Sequence, residues 1–394
     1  MPVSPKISEF INRASWIRKM FEEGARLKKE HGSENVYDFS LGNPNLEPSQ
    51  AVKEAMVKAA SDPSPGIHGY MPNAGLPEVR RAVAEKIRQD EGANISENEI
   101  IMTVGAGGGL NVVLKTLLNP GDEVLCPKPF FVEYVFYADN HGGTIVPVAT
   151  KSDFSLDLAA MEQAFTPKTA VVLINSPNNP TGRVYSDIEI KDLTALIERK
   201  SQEFGRTIVL VSDEPYRGIT YDGVQVPSIL KTCSNSIVVT SFSKDLSLAG
   251  ERLGYVAVSP RMNELSLTMD GLILTNRILG FVNAPALIQR TVKNVLRDVV
   301  DVSVYKRRRD TLYDALTSFG YECVRPEGAF YLFPKSPIED DVEFASKLQK
   351  KLILVVPGTG FWGPGYFRIA YCVSDETITG ALKGFEEAIK EVRG

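Results

Sequence analysis

Short runs of β-branched and apolar residues alternate along the chain with stretches whose apolar positions recur every three or four residues. Ile100–Val104 (IIMTV) is followed by GAGGG and then by Leu110, Val113, Leu114 and Leu117, the i, i+3, i+4, i+7 face of a helix. Asn119-Pro120-Gly121 stops it. Ala170–Ile174 (AVVLI) leads into a turn rich in Pro and Asn. Ser186 and Glu189 then have capping-box spacing ahead of Ile190, Leu193 and Ile197 on one helical face. Ile208–Val211 (IVLV) and Ser236–Thr240 (SIVVT) read as two further buried strands. Buried strands alternating with helices predict an α/β fold around a largely parallel sheet.

The polar clusters occupy one kind of place in that pattern. Gly105 follows the first strand, Asn175–Gly182 (NSPNNPTG) the second, Asp213 and Tyr216 (SDEPY) the third, Ser241 and Lys244 (SFSKD) the fourth. All are carboxyl ends of predicted parallel strands, and in open α/β sheets those ends line the ligand crevice. The glycine loop, Asn179, Asp213 and Lys244 are therefore expected to converge.

Bulk properties narrow the setting. A chain of 394 residues exceeds the roughly 250–300 residues at which single cores stop growing, so two domains are expected. With 43% apolar and 24% charged residues, the composition is that of a globular protein. A net charge of −5 gives no reason to expect nucleic acid or an anionic membrane as partner. Cys126, Cys233, Cys323 and Cys372 are dispersed, as are His31, His68 and His141, and neither set has metal-ligand spacing. The first residues lack the apolar centre of a signal peptide, and no apolar run is of membrane-spanning length. A cytoplasmic location follows as the expectation.

A glycine loop between strand and helix suits a phosphate, because free backbone N–H groups and the helix dipole favour an anion there. The loop has no third small residue for a dinucleotide fingerprint and no Gly-Lys-Ser/Thr for a Walker A site. A small phosphorylated ligand fits better, and Arg252 with Ser241 adds phosphate donors. Taken singly, Lys244 reads as a solvated surface amine, Asp213 as a cap and Arg252 as one half of a surface ion pair. Together at four strand ends, a phosphate cup, an amine and a carboxylate suggest pyridoxal 5'-phosphate. Lys244 would carry it as an imine, and Asp213 would keep its ring nitrogen protonated. Asn179 and Tyr216 would hydrogen-bond the ring oxygen. In YFRIAY, Phe367, Ile369 and Tyr371 share one strand face and Arg368 takes the other, where a charge on an apolar strand needs an acceptor.

NSPNNPTG, SDEPY, SFSKDLSLAGERLGY, YFRIAY and GYMPNAGLPEVR (Gly69–Arg80) together resemble the class I/II aminotransferases of the aspartate aminotransferase superfamily, fold type I. The resemblance runs from Asp38–Pro44 (DFSLGNP) to the C-terminal helix. It implies Lys244 as the Schiff-base lysine and Asp213 as the pyridinium partner. It implies Gly105, Ala106, Gly107, Ser241 and Arg252 as the phosphate cup, and Phe131 stacked on the ring, with Phe130 a competitor for that place. Arg368 is implied for the substrate α-carboxylate and Gly42 for the backbone contact over the substrate. Tyr70 resembles a tyrosine lent to the neighbouring subunit's phosphate, which implies a homodimer with shared sites. Two positions depart from the family pattern. The stacking residue is Phe rather than Tyr or Trp, and Gly107 stands where many members carry a side chain near the phosphate.

The expected reaction moves an amino group from an α-amino acid to a 2-oxo acid, with aspartate or broad specificity and 2-oxoglutarate as acceptor. A C–S lyase or related elimination on the same fold is the alternative, since it shares the cofactor residues. A non-catalytic sensor would need a fused DNA-binding module, for which the motifs leave no room. Arg277 offers a cation for a distal carboxylate or, equally, a hinge or interface residue, and Trp16 with the N-terminal helix reads first as apolar packing and second as a wall for the substrate entrance. The expected domains are 46–285, carrying the mainly parallel sheet with helices on both faces, and a smaller α+β domain of 1–45 and 286–394.

Overall fold

The computed structural model describes residues 2–13 and 15–393, apart from the side chains of 12–19 and 21. The side chain of Trp16 lies outside the described residues. After β1 (Tyr37–Asp38), which joins a small body, seven strands build one sheet. These are β2 (Ile100–Thr103), β3 (Glu123–Lys128), β4 (Thr144–Ala149), β5 (Thr169–Asn175), β6 (Val209–Asp213), β7 (Ser236–Ser241) and β8 (Gly254–Val258). Their order is β2-β8-β7-β6-β5-β3-β4. Neighbours are parallel except at β8, which runs antiparallel to both β2 and β7. The short apolar runs are thus the strands, and β5, β6 and β7 are buried along their whole length, as a sheet covered on both faces requires.

One face packs on helices Gly105–Leu117 and Leu265–Ile278 through Leu110, Val113, Leu114 and Leu272. The other packs on Pro77–Glu91 and Asp187–Phe204 through Val83, Ile87, Ile190 and Leu193. Ser186 and Glu189 close a reciprocal capping box at the start of the last of these, which fixes where that helix begins. Register sets Asn175 opposite Asp213, Asp213 opposite Val239, and Ser241 opposite Gly254. The carboxyl ends of the central strands therefore stop at one level.

The smaller body pairs β1 in parallel with β10 (Ile353–Leu354), and sets β11 (Val356–Pro357), β12 (Phe367–Ala370) and β9 (Tyr331–Leu332) in an antiparallel sheet. Helices Val302–Phe319, Asp341–Gln349 and Asp375–Arg393 cover it through Leu312, Phe344 and Phe385. Ile288, Val292, Val295 and Leu296 pack with the large sheet, and Val300 with the small body. We therefore propose a domain boundary between 296 and 300 in place of 285. The apolar face of helix Ala286–Val292 is what carries it past the expected position. No helix among the described residues is long and apolar enough to cross a membrane.

Candidate active site

A cavity of about 320 Å³ opens at the carboxyl ends of the central strands, walled on the far side by the small body. Gly42, Ala106, Gly107, Phe131, Asn179, Asp213, Tyr216, Ser241, Lys244, Arg252 and Arg368 all line it. These residues were expected to converge, and the structure brings them together.

Asp213 ends β6 and is 5% exposed. Its Oδ2 accepts a hydrogen bond of 2.5 Å from the Tyr134 hydroxyl. Its Oδ1 is buried with no partner among the described residues. Burial pushes the carboxyl up to about 7, against the Tyr134 hydrogen bond, which lowers it. The strand ends brace one another: Asn175 Nδ2 donates to the Asp213 carbonyl at 2.8 Å, and Asn175 Oδ1 accepts from the Asn179 amide at 2.6 Å.

Lys244 lies three residues beyond β7. Its Nζ donates to the Gly42 carbonyl at 2.7 Å and stands 5.8 and 5.5 Å from the ring centres of Tyr216 and Phe330. Burial lowers its ammonium to about 8, so near neutral pH a share of it is a free amine nucleophile.

The helix that starts at Gly105 has no side-chain cap, so the N–H groups of its first turn are open to a ligand at the cavity. Gly105 has φ +67°, and a Cβ there would stand 2.7 Å from a terminal nitrogen of Arg252. Only glycine takes that backbone and leaves the guanidinium its place. Arg252 itself donates to the Ala249 carbonyl at 3.2 Å. On the opposite wall, the Gly42 backbone runs so close over the Tyr331 hydroxyl that any side chain would collide with it. Tyr331 in turn shares a 2.7 Å hydrogen bond with the Tyr216 hydroxyl.

Arg368, on β12, is 3% exposed. It donates to Asn179 Oδ1 at 3.0 Å and to the Ser40 carbonyl at 2.6 Å, with its guanidinium over the rings of Tyr331 and Phe361 at 4.7 and 4.6 Å. Its Nε has no partner among the described residues, and burial lowers its pKa. A buried guanidinium held only by neutral acceptors calls for an anion.

Three residues fall outside the cavity of their own chain. Gly105 sits just behind it, under Arg252. Tyr70 is 94% exposed, and Arg277 is exposed on helix Leu265–Ile278. Of the two adjacent phenylalanines, Phe130 is buried against Tyr134 and Trp362, and Phe131 faces the cavity. Sequence reasoning passed over Tyr134, Tyr137, Asn175 and Tyr331, which also line it. Asn175 carried a signal, as the last residue of a strand whose neighbour ends in Asp213. The three tyrosines carried no signal that sets them apart from core aromatics.

Comparison with known proteins agrees with this geometry. The profile of the family described as Aminotransferase class I and II matches residues 34–385. A probable aspartate/prephenate aminotransferase of Aquifex aeolicus is 32% identical over 374 residues, covering 91% of this chain and 92% of that protein. The aspartate/prephenate aminotransferase of Thermus thermophilus is 33% identical over 357 residues, 89% and 90% of the two chains. Among solved structures, an amino transferase from Eubacterium rectale superposes with a TM-score of 0.97 at 37% identity over 100% of both chains. The aspartate aminotransferase of Thermus thermophilus with maleate superposes with a TM-score of 0.85 at 29% identity, over 95% of this chain and 96% of that one.

Proposed function

The chain belongs to the class I and II aminotransferases, and from that premise we propose that it works with pyridoxal phosphate held in the cavity by the residues just described. The single observation that carries this reading is one cavity faced by an amine, a buried carboxylate oxygen without a donor, and an uncapped helix start. The chemistry of the donors fits the group. The first turn of the helix, Ser241 and Arg252 would hold the phosphate. Asp213 Oδ1 would accept from the ring nitrogen, Asn179 and Tyr216 would donate to the ring oxygen, and Phe131 would lie against the ring. When bound, the cofactor supplies an electron sink that lets an amino acid lose its Cα proton.

The chain's own residues do the rest. Arg368 binds the substrate α-carboxylate through its two terminal nitrogens, and the Gly42 backbone closes over the substrate. Lys244 Nζ takes the proton from the donor's Cα in one half-reaction and returns one to the acceptor's Cα in the other. The small body, carrying Arg368 and Tyr331, keeps water from the reacting atoms. The substrates are an α-amino acid and a 2-oxo acid, and the named relatives make aspartate the first donor to try, with prephenate, itself a 2-oxo acid, and 2-oxoglutarate as acceptors.

The test is an absorbance spectrum of the purified protein before and after amino acids added singly. A cofactor band that shifts to the aminated form with one donor supports the reading. Absence of any band after pyridoxal phosphate is added overturns it. Replacing Arg368 with lysine is expected to raise KM for the amino acid about 10–100-fold, the worth of a charge-assisted hydrogen bond, with a smaller fall in kcat. An unchanged KM would assign Arg368 to packing alone.

The exposed ring of Tyr70 supports a homodimer in which each chain lends this residue to its neighbour's phosphate. Mixed and reassociated Lys244→Ala and Tyr70→Ala chains should then recover activity above either parent, because one site of the hybrid regains both residues. No recovery in a verified hybrid would rule out the sharing.

A further inference from the structure

We propose that Tyr137 donates its phenol hydroxyl to the phosphate of the bound cofactor, in the place that a side chain at residue 107 would otherwise occupy. The inference rests on the pyridoxal phosphate reading above. Gly107 is bare, and a Cβ built on it would stand 3.0 Å from the Tyr137 hydroxyl oxygen and 3.7 Å from its Cζ, with no other contact within 4 Å. The phenol therefore fills the space in front of the second peptide of the helix. Tyr137 lies on the short helix Glu133–Asp139, three residues past Tyr134, and lines the same cavity as Ala106, Gly107 and Arg252.

The hydroxyl has no hydrogen-bond partner among the described residues. Arg252 is close enough to act on its ionisation. Arg252 above Gly105 and Tyr137 above Gly107 thus flank the open helix start from two sides. Burial pushes the phenol up to about 12, so at neutral pH it holds its proton and can donate. A phosphate offers three strong acceptor oxygens and no obligatory donor, which is the complement this group needs. Glycine at 107 and tyrosine at 137 are then two halves of one arrangement, in which a hydroxyl supplied from the neighbouring helix replaces one absent from the loop.

The test uses the full-length protein freed of cofactor. Pyridoxal phosphate and pyridoxal, which has the same ring and aldehyde and no phosphate, are titrated separately and followed by absorbance. Tyr137→Phe is expected to weaken pyridoxal phosphate about tenfold, as loss of a hydrogen bond to a charged group does, and to leave pyridoxal unchanged. Adding Gly107→Ser to Tyr137→Phe should recover most of that affinity, since the serine hydroxyl enters the vacated space. Equal affinities of wild type and Tyr137→Phe for pyridoxal phosphate, or an equal loss for pyridoxal, would overturn the contact. Failure of the wild type to take up pyridoxal phosphate would remove the cofactor reading itself, and this contact with it.

Discussion

Lys244→Ala is expected to lower turnover by about 10⁴-fold, the upper range for a positioned proton-transfer group, while the protein still takes up pyridoxal phosphate. The two effects separate because different residues carry them. The helix start, Arg252, Ser241, Asn179 and Asp213 remain in the variant, and on the proposed reading they would supply the non-covalent hold. What disappears is the nitrogen that faces the Gly42 carbonyl at 2.7 Å and the attachment it makes. The spectrum of the variant should accordingly be that of unattached cofactor. The wild type offers a second readout through pH. Burial lowers the Lys244 ammonium to about 8, against about 10.4 for an ordinary lysine. The neutral amine, and with it the rate of covalent cofactor uptake, should rise with pH through a midpoint near 8. Turnover within tenfold of wild type would defeat the assignment of Lys244, and a midpoint near 10 would show that its amine is not desolvated.

Asp213→Asn is expected to lower turnover by about 10²–10³-fold, the range found when one preorganised charge partner is removed. It should also change how the cofactor-free protein responds to pH. The folded carboxyl sits at about 7 because it is buried, and the unfolded one near 3.9. Between those values the folded state holds a proton that the unfolded state has lost. The contribution of Asp213 to stability is thus complete below about 4 and is lost as pH rises through about 7. Asparagine cannot titrate, so that decline should be missing from the variant, and the difference between wild-type and variant melting temperatures should fall across this window. With cofactor bound, a cation against Oδ1 stabilises the carboxylate, and wild type should lose the decline as well. Melting curves at several pH values, with and without pyridoxal phosphate, measure both. A decline of equal size in the asparagine variant would place the titrating group elsewhere, with Asp245, which burial raises to about 6, the first to examine.

The large sheet and most of the cavity were legible from residue patterns because β-strand ends coincide there with polar clusters. β5, β6 and β7 each terminate in Asn175, Asp213 or Ser241, and alternation with helices placed those ends on one edge. The small body was harder to read. Its strands are two to four residues long, too short for a period to show, and its core draws on both ends of the chain. The reversal of β8 has no sequence signal of its own, since GYVAV reads alike in either direction of pairing. Tyr134, Tyr137 and Tyr331 were missed for a different reason. A tyrosine on an apolar face has the same periodicity whether its hydroxyl meets solvent, a carboxylate or a ligand, and only three-dimensional placement separates those cases.

Arg368 donates to the carbonyl of Ser40 across 328 positions of chain. At roughly 5–20 residues added per second during synthesis, about 15–65 s separate the appearance of these two residues. In the later part of that interval, once Lys244 has been made, the strand ends bearing Asp213 and Lys244 exist while the wall bearing Arg368 is still incomplete. On the proposed reading, a nascent chain would assemble its cofactor pocket before it could recognise a carboxylate. On the proposed reading the means to select a substrate arrives after the cofactor pocket, so an incomplete chain that has captured a reactive aldehyde would have nothing with which to use it.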